Sequence, residues 1–111
     1  MPLRAMNEIL ILCTTDKPAL AQEIASALVD FREAACVNII PGIRSVYRWE
    51  GKVCDEGECL LIIKSSAEKF EAVRATILNL HSYEVPEIIA VPITGGDPDY
   101  LDWFRSSISS Q

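Results

Sequence analysis

Cys13 and His81 are the residues whose types point most directly to chemistry. Cys13 lies near the end of an apolar run of strand length, and His81 ends a segment with helical spacing. A thiolate and an imidazole suit a soft or borderline metal such as copper or zinc. Two ligands do not complete a site, so the pair needs another donor. His81 is the only histidine, and no G-x-S-x-G elbow supplies a nucleophile for it. Neither G-x-G-x-x-G nor a Walker motif is present to cradle phosphate. The chain therefore reads as a binding protein and not as an enzyme. Cys36, Cys54 and Cys59 complete the cysteines; with no C-x-x-C, they read as small buried hydrophobes. Glu58, Lys64, Tyr83, Glu87 and Tyr100 stand beside apolar runs. They are either strand-end polarity or the lining of a cleft between subunits.

Composition narrows the partners. The 111 residues carry a net charge of −6, which gives no basic face for nucleic acid or an anionic membrane. No apolar stretch approaches the roughly 20 residues that span a bilayer, and residues 1–7 lack a secretory h-region. Half the residues are hydrophobic, enough for one globular domain over 1–111 with its core in about 8–107. Residues 1–6 and 106–111 read as loose ends. The expected location is the cytoplasm.

The elements that must position these residues follow from periodicity. Residues 8–14 form a buried strand. Thr15 or Asp16 caps a helix over 18–33, with Pro18 in its first turn and Ala21, Ile24, Ala25, Leu28 and Val29 on its inner face. Residues 36–40 and 43–49 are strand, interrupted by Pro41-Gly42. Glu50-Gly51 is a two-residue hairpin turn. Residues 58–64 form another buried strand, with an irregularity expected between Val53 and Glu58. Ser66 caps a second helix whose stripe is Phe70, Val73, Ile77 and Leu80. Residues 87–93 are a last strand, and a short helix spans 99–107.

The order β-α-β-β-α-β predicts an α+β, ferredoxin-like sandwich with two helices on one face of an antiparallel sheet. Acylphosphatase chemistry also occurs on this fold. It needs glycine and arginine after the first strand, where this chain has Cys13-Thr14-Thr15-Asp16-Lys17-Pro18. One length is abnormal. A strand over residues 36–49 reaches about 46 Å, against a diameter of about 35 Å for a domain of this size. The hairpin should overhang, carrying Tyr47, Trp49 and Val53. Apolar groups there need a cover, and a second subunit supplies one. Trp103 reads as a packing residue of the same kind.

Taken together, several segments resemble the CutA divalent-cation-tolerance family. They are Cys13-Thr14 with Asp16, Ala34-Ala35-Cys36-Val37-Asn38-Ile39 before Pro41-Gly42, Tyr47-x-Trp49-x-Gly51-Lys52, Lys64, Tyr83-x-x-Pro86-Glu87-Ile88, and Asp99-Tyr100-Leu101-x-Trp103. The resemblance implies a homotrimer similar to the PII signalling proteins, with clefts between subunits. Tyr47, Trp49, Val53 and Trp103 would then lie at the trimer interface. It also implies a role in the response to copper and other divalent ions. The bacterial copper site of the family uses a cysteine and two adjacent histidines. Cys13 and His81 match two of these positions, and Leu80 stands at the third. The resemblance therefore implies weak or absent Cu2+ binding. Two functions remain: a metal-binding tolerance protein, or a PII-like scaffold whose clefts hold a small anionic or polar ligand or a partner.

Overall fold

The computed structural model describes residues 7–109. Four strands form one antiparallel sheet in the order β2-β3-β1-β4: β1 (Glu8–Thr15), β2 (Cys36–Trp49), β3 (Lys52–Ser66) and β4 (Ile89–Pro92). Helices α1 (Pro18–Asp30) and α2 (Phe70–Leu80) cover one face, and α3 (Pro98–Ser107) follows β4. This is the expected α+β, ferredoxin-like arrangement. Alternate residues of β1 and β3 bury Ile9, Ile11, Cys13, Cys59, Leu61 and Ile63 against Ala21, Ile24 and Leu28 of α1 and Val73 and Ile77 of α2. The other face of the sheet carries Leu10, Leu12, Leu60 and Ile62, none of them fully buried, beside exposed Ile40, Ile89 and Val91.

Several boundaries differ from the sequence reading, each for a local reason. Helix α1 stops at Asp30, not at residue 33, and Val29, expected on its inner face, is exposed while Ala21, Ile24, Ala25 and Leu28 are buried. Arg32 takes a left-handed conformation (φ 58), and the N–H groups of Arg32 and Glu33 bond back to the Val29 and Leu28 carbonyls. That is a Schellman closure built without glycine. The N-cap of α1 is Lys17, not Thr15 or Asp16, and no side chain caps it. Thr15 Oγ1 only accepts weakly from the Lys17 N–H, at 3.4 Å. Ser66 leads into a 3-10 turn (Ala67–Lys69) before α2 and makes no side-chain cap bond. Strand β4 is four residues, not seven, because its ladder with β1 runs only from Ile9 against Pro92 to Leu12 against Ile89.

The hairpin meets the expected interruption at Pro41-Gly42 but not the expected irregularity between Val53 and Glu58. The irregularity lies in β2 between Ile40 and Ile43, where Pro41 lacks an N–H and Gly42 takes φ 75. β3 runs on through Asp55-Glu56-Gly57 without a shift. Glu50 and Gly51 both have positive φ, the signature of a tight turn matched to strand twist. The long axis is 52 Å against 28 and 23 Å for the others, so the hairpin does overhang.

The expected loose ends fall outside the described residues for 1–6 and 110–111. Ser106 and Ser107 instead complete α3, and Ile108 is buried with Phe104 and Ala35 in a second small cluster. Asp97 caps α3 by accepting from the Tyr100 N–H. Arg105 of α3 pairs with buried Glu8 of β1 at 2.9 Å, tying the helix to the sheet.

Candidate functional site

The end of β1 and the end of α2 meet at the Thr14 carbonyl. Cys13 Sγ contacts that oxygen at 3.8 Å, and His81 Nε2 lies 2.7 Å from it. His81 Nδ1 accepts from the Tyr83 N–H at 3.0 Å. A carbonyl only accepts and an amide N–H only donates, so His81 is held as the neutral Nε2–H tautomer. Both ring nitrogens are committed. Cys13 is fully buried, and its thiol is pushed up to about 12 by burial first, then by Glu87 and Glu58. Copper needs a thiolate and a free imidazole lone pair, so these two groups as placed do not fit as its ligands. Among the described residues, no group of three or more His, Cys, Asp or Glu is arranged to hold a metal ion.

The residues chosen as cleft candidates separate into two places. Glu58 and Tyr83 meet directly: the Tyr83 hydroxyl donates to Glu58 Oε2 at 2.6 Å. Glu58 is only 7% exposed and sits in β3 just beyond Cys59, the partner of the last β1 residue, Thr15. The loop after α2 (residues 81–88) carries Tyr83 to it. The Tyr83 hydroxyl is raised well above its ordinary value by desolvation and by its bond to Glu58. Glu87 lines the same groove. Lys64 and Tyr100 do not. They pair with each other, the ammonium 5.7 Å from the ring centroid, and Trp103 packs 5.4 Å from that ring.

The groove lies between the hairpin and the loop and has a volume of about 660 Å³. Its aromatic residues are Tyr47, Trp49 and Tyr83, and its carboxylates are Glu56, Glu58, Glu84 and Glu87. Thr14, Ser45, Val46 and Val85 complete it, and no lysine or arginine lines it. Sequence reasoning missed Glu56, Glu84 and Val85. The period-two spacing of Glu56 and Glu58 on one strand was the available signal, since it sets both on one face. Tyr47 and Trp49 share that face by register; Val53, paired with Arg48, takes the opposite one. Tyr47, Trp49, Val53 and Trp103 are 41%, 47%, 66% and 47% exposed in the single chain.

Residues 9–107 match the family model described as CutA1 divalent ion tolerance protein. The divalent-cation tolerance protein CutA of Thermus thermophilus is 45% identical over 102 residues, 92% of this chain and 98% of that protein. The solved structure of CutA from Xylella fastidiosa superposes with a TM-score of 0.90 at 39% identity, covering 93% of this chain and 99% of that one. The periplasmic divalent cation tolerance protein CutA of Archaeoglobus fulgidus gives 0.89 at 38% identity, over 92% and 99%.

Proposed function

Because the chain belongs to the CutA1 divalent ion tolerance family, we propose that it serves that tolerance as a homotrimer whose inter-subunit grooves bind a ligand or partner. The observation that carries this reading is the overhanging hairpin. It holds Tyr47 and Trp49 out over a groove that already has a buried carboxylate at its inner end. A 52 Å molecule with an uncovered apolar sheet face gains by association, because exposed apolar area of this kind is costly in water. Neighbouring copies would cover Leu12, Ile62 and Ile89 and close the groove. The role is one of binding, in the manner of PII signalling trimers, and we place it in the cytoplasm. The Archaeoglobus fulgidus relative is named as periplasmic.

A second reading has one observation in its favour. Cys13 and His81 converge on a single carbonyl, so a copper ion that displaced the Thr14 and Tyr83 bonds would find both within reach. The two readings separate in a bacterial strain whose own family member is deleted, grown on elevated copper. Wild-type chain restores growth under either. If the groove carries the function, Glu58→Gln abolishes rescue and Cys13→Ala retains it. Rescue that survives Glu58→Gln and is lost in both Cys13→Ala and His81→Ala would reverse the assignment.

A further inference from the structure

Lys64 is a lysine on the apolar face of a central strand. Cys59, Leu61 and Ile63 of β3 face the helices, so Glu58, Leu60, Ile62 and Lys64 form a row on the open side of the sheet. On the ladder Lys64 stands between Leu10 of β1 and Cys36 of β2. It is half-buried, and its ammonium lies 5.7 Å from the Tyr100 ring centroid. A ring face attracts the charge but offers no oxygen to the N–H donors. Among the described residues no carboxylate pairs with this lysine. The other end of the row is its opposite. Glu58 is buried there, and Glu56, Glu84 and Glu87 line the adjoining groove with no lysine or arginine. The Tyr83 hydroxyl takes up one Glu58 oxygen, Oε2, and a carboxylate has room for further donors. The row thus reads acid, apolar, apolar, base. Laid against a second copy running the other way, it is complementary to itself.

We propose that a second copy of this chain covers the open sheet face in one register, with Lys64 of each copy set against the Glu58 end of its neighbour. The groove is then completed by a lysine from another subunit, which brings Tyr100 and Trp103 in beside it. The proposal rests on the reading of association given above and adds the contact that orients it. Opposite charges at the two ends select this register. A parallel arrangement would set Glu58 against Glu58, and a slipped one would set Lys64 against Leu60. Exposed Ile40, Ile89 and Val91 share the face with half-buried Leu12, so the charges flank an apolar centre, as in specific interfaces generally. In a ring of copies the two sides of each interface are different surfaces, and a row with unlike ends supplies both. Tyr100 and Trp103, packed at 5.4 Å and 42% and 47% exposed in the single chain, would lose water in the same contact.

The test is a double-mutant cycle on the full-length chain. Within one chain the two α-carbons lie about 20 Å apart along an extended strand, beyond the range at which substitutions couple. Coupling between Glu58→Gln and Lys64→Met therefore reports a contact between copies. The amide in Glu58→Gln can still accept from the Tyr83 hydroxyl, so the loop keeps its anchor. Assembly is followed by light scattering over a dilution series, at a fixed urea concentration that brings the wild-type midpoint into range. Each single substitution should raise the midpoint concentration about tenfold, and the two together also about tenfold and not a hundredfold. Lys64→Arg keeps the charge and should assemble close to wild type. Should Lys64→Met fail to fold, as judged by far-UV circular dichroism, Lys64→Gln takes its place in the cycle. Effects that multiply to about a hundredfold would overturn the contact and leave the trimer standing. So would a Lys64→Met midpoint equal to wild type, since the lysine would then answer to water or a free ion. A coupled pair in a particle of twice the chain mass would uphold the contact and overturn the number three. A wild-type monomer at every concentration without urea would overturn both.

Discussion

The Tyr83 hydroxyl donates to Glu58 Oε2 at 2.6 Å across 25 positions of sequence, joining the loop after α2 to the inner end of the overhanging hairpin. This bond sets the floor of the groove. It also fixes the loop from one side, while His81 fixes it from the other by accepting the Tyr83 N–H.

Tyr83→Phe keeps the ring and removes the hydroxyl that donates to the buried carboxylate of Glu58. Leaving such a group short of its partner costs about 1–3 kcal/mol. Urea unfolding at a fixed protein concentration should show a loss of that size. A midpoint unchanged from wild type would mean that water replaces the hydroxyl without cost.

Alkaline pH should destabilise the protein through Cys13. The folded thiol is raised from 9.0 to about 12, mainly by burial. Above about pH 9 the unfolded chain loses this proton while the folded chain keeps it, so the unfolded state gains and stability falls as pH rises. Below pH 9 both states hold the proton and the contribution vanishes. Tyr83, also raised, acts in the same sense starting about one unit higher, from its ordinary value of 10.0. Unfolding midpoints compared at about pH 8 and pH 10.5 should drop in wild type and drop less in Cys13→Ala. Equal slopes in the two proteins would remove Cys13 as the cause.

The hairpin turn contains a correctable strain. Glu50 holds φ 50, a left-handed conformation that costs a residue with a Cβ roughly 1–2 kcal/mol. Asn adopts it more readily, and Asn-Gly is the favoured pair for this turn. Glu50→Asn should raise stability by about 0.5–1 kcal/mol, read from the thermal midpoint. Gly51→Ala, at φ 78, should lower it. A lower midpoint for Glu50→Asn would contradict this account of the turn.

Much of this architecture is legible in the residues themselves. The stripe Phe70, Val73, Ile77 and Leu80 set α2, and alternation in β1 and β3 set the core, because burial on one face imposes the period. The overhang follows from strand length alone. What failed were ends and register. Arg32 closes α1 through a backbone motif usually announced by glycine. The interruption expected at Pro41-Gly42 is present as a bulge, whereas the irregularity expected at the charged run Asp55-Glu56-Gly57 is absent. Within one chain Glu58 and Lys64 sit at opposite ends of one apolar run, with Lys64 beside Tyr100, so a cleft holding both would have to join two subunits. His81 is a structural link in this chain. That followed only from seeing both of its nitrogens engaged.

In the proposed trimer, Trp49 would connect the hairpin to a neighbouring copy. In the single chain it is 47% exposed, so a monomer would lose little by its truncation. If a neighbour buries it, Trp49→Ala should cost about 3–5 kcal/mol of trimer stability, with a midpoint that depends on protein concentration. A loss under about 1 kcal/mol would place the ring in solvent even in the assembly.

The proposed association would cover the overhang and the apolar sheet face and close the groove, and it is read most directly as a solution mass. Light scattering at micromolar concentration should give about three times the chain mass of 12.3 kDa. A stable, monodisperse monomer over the same range would contradict it, leaving Tyr47, Trp49 and the groove open to water with nothing to close them.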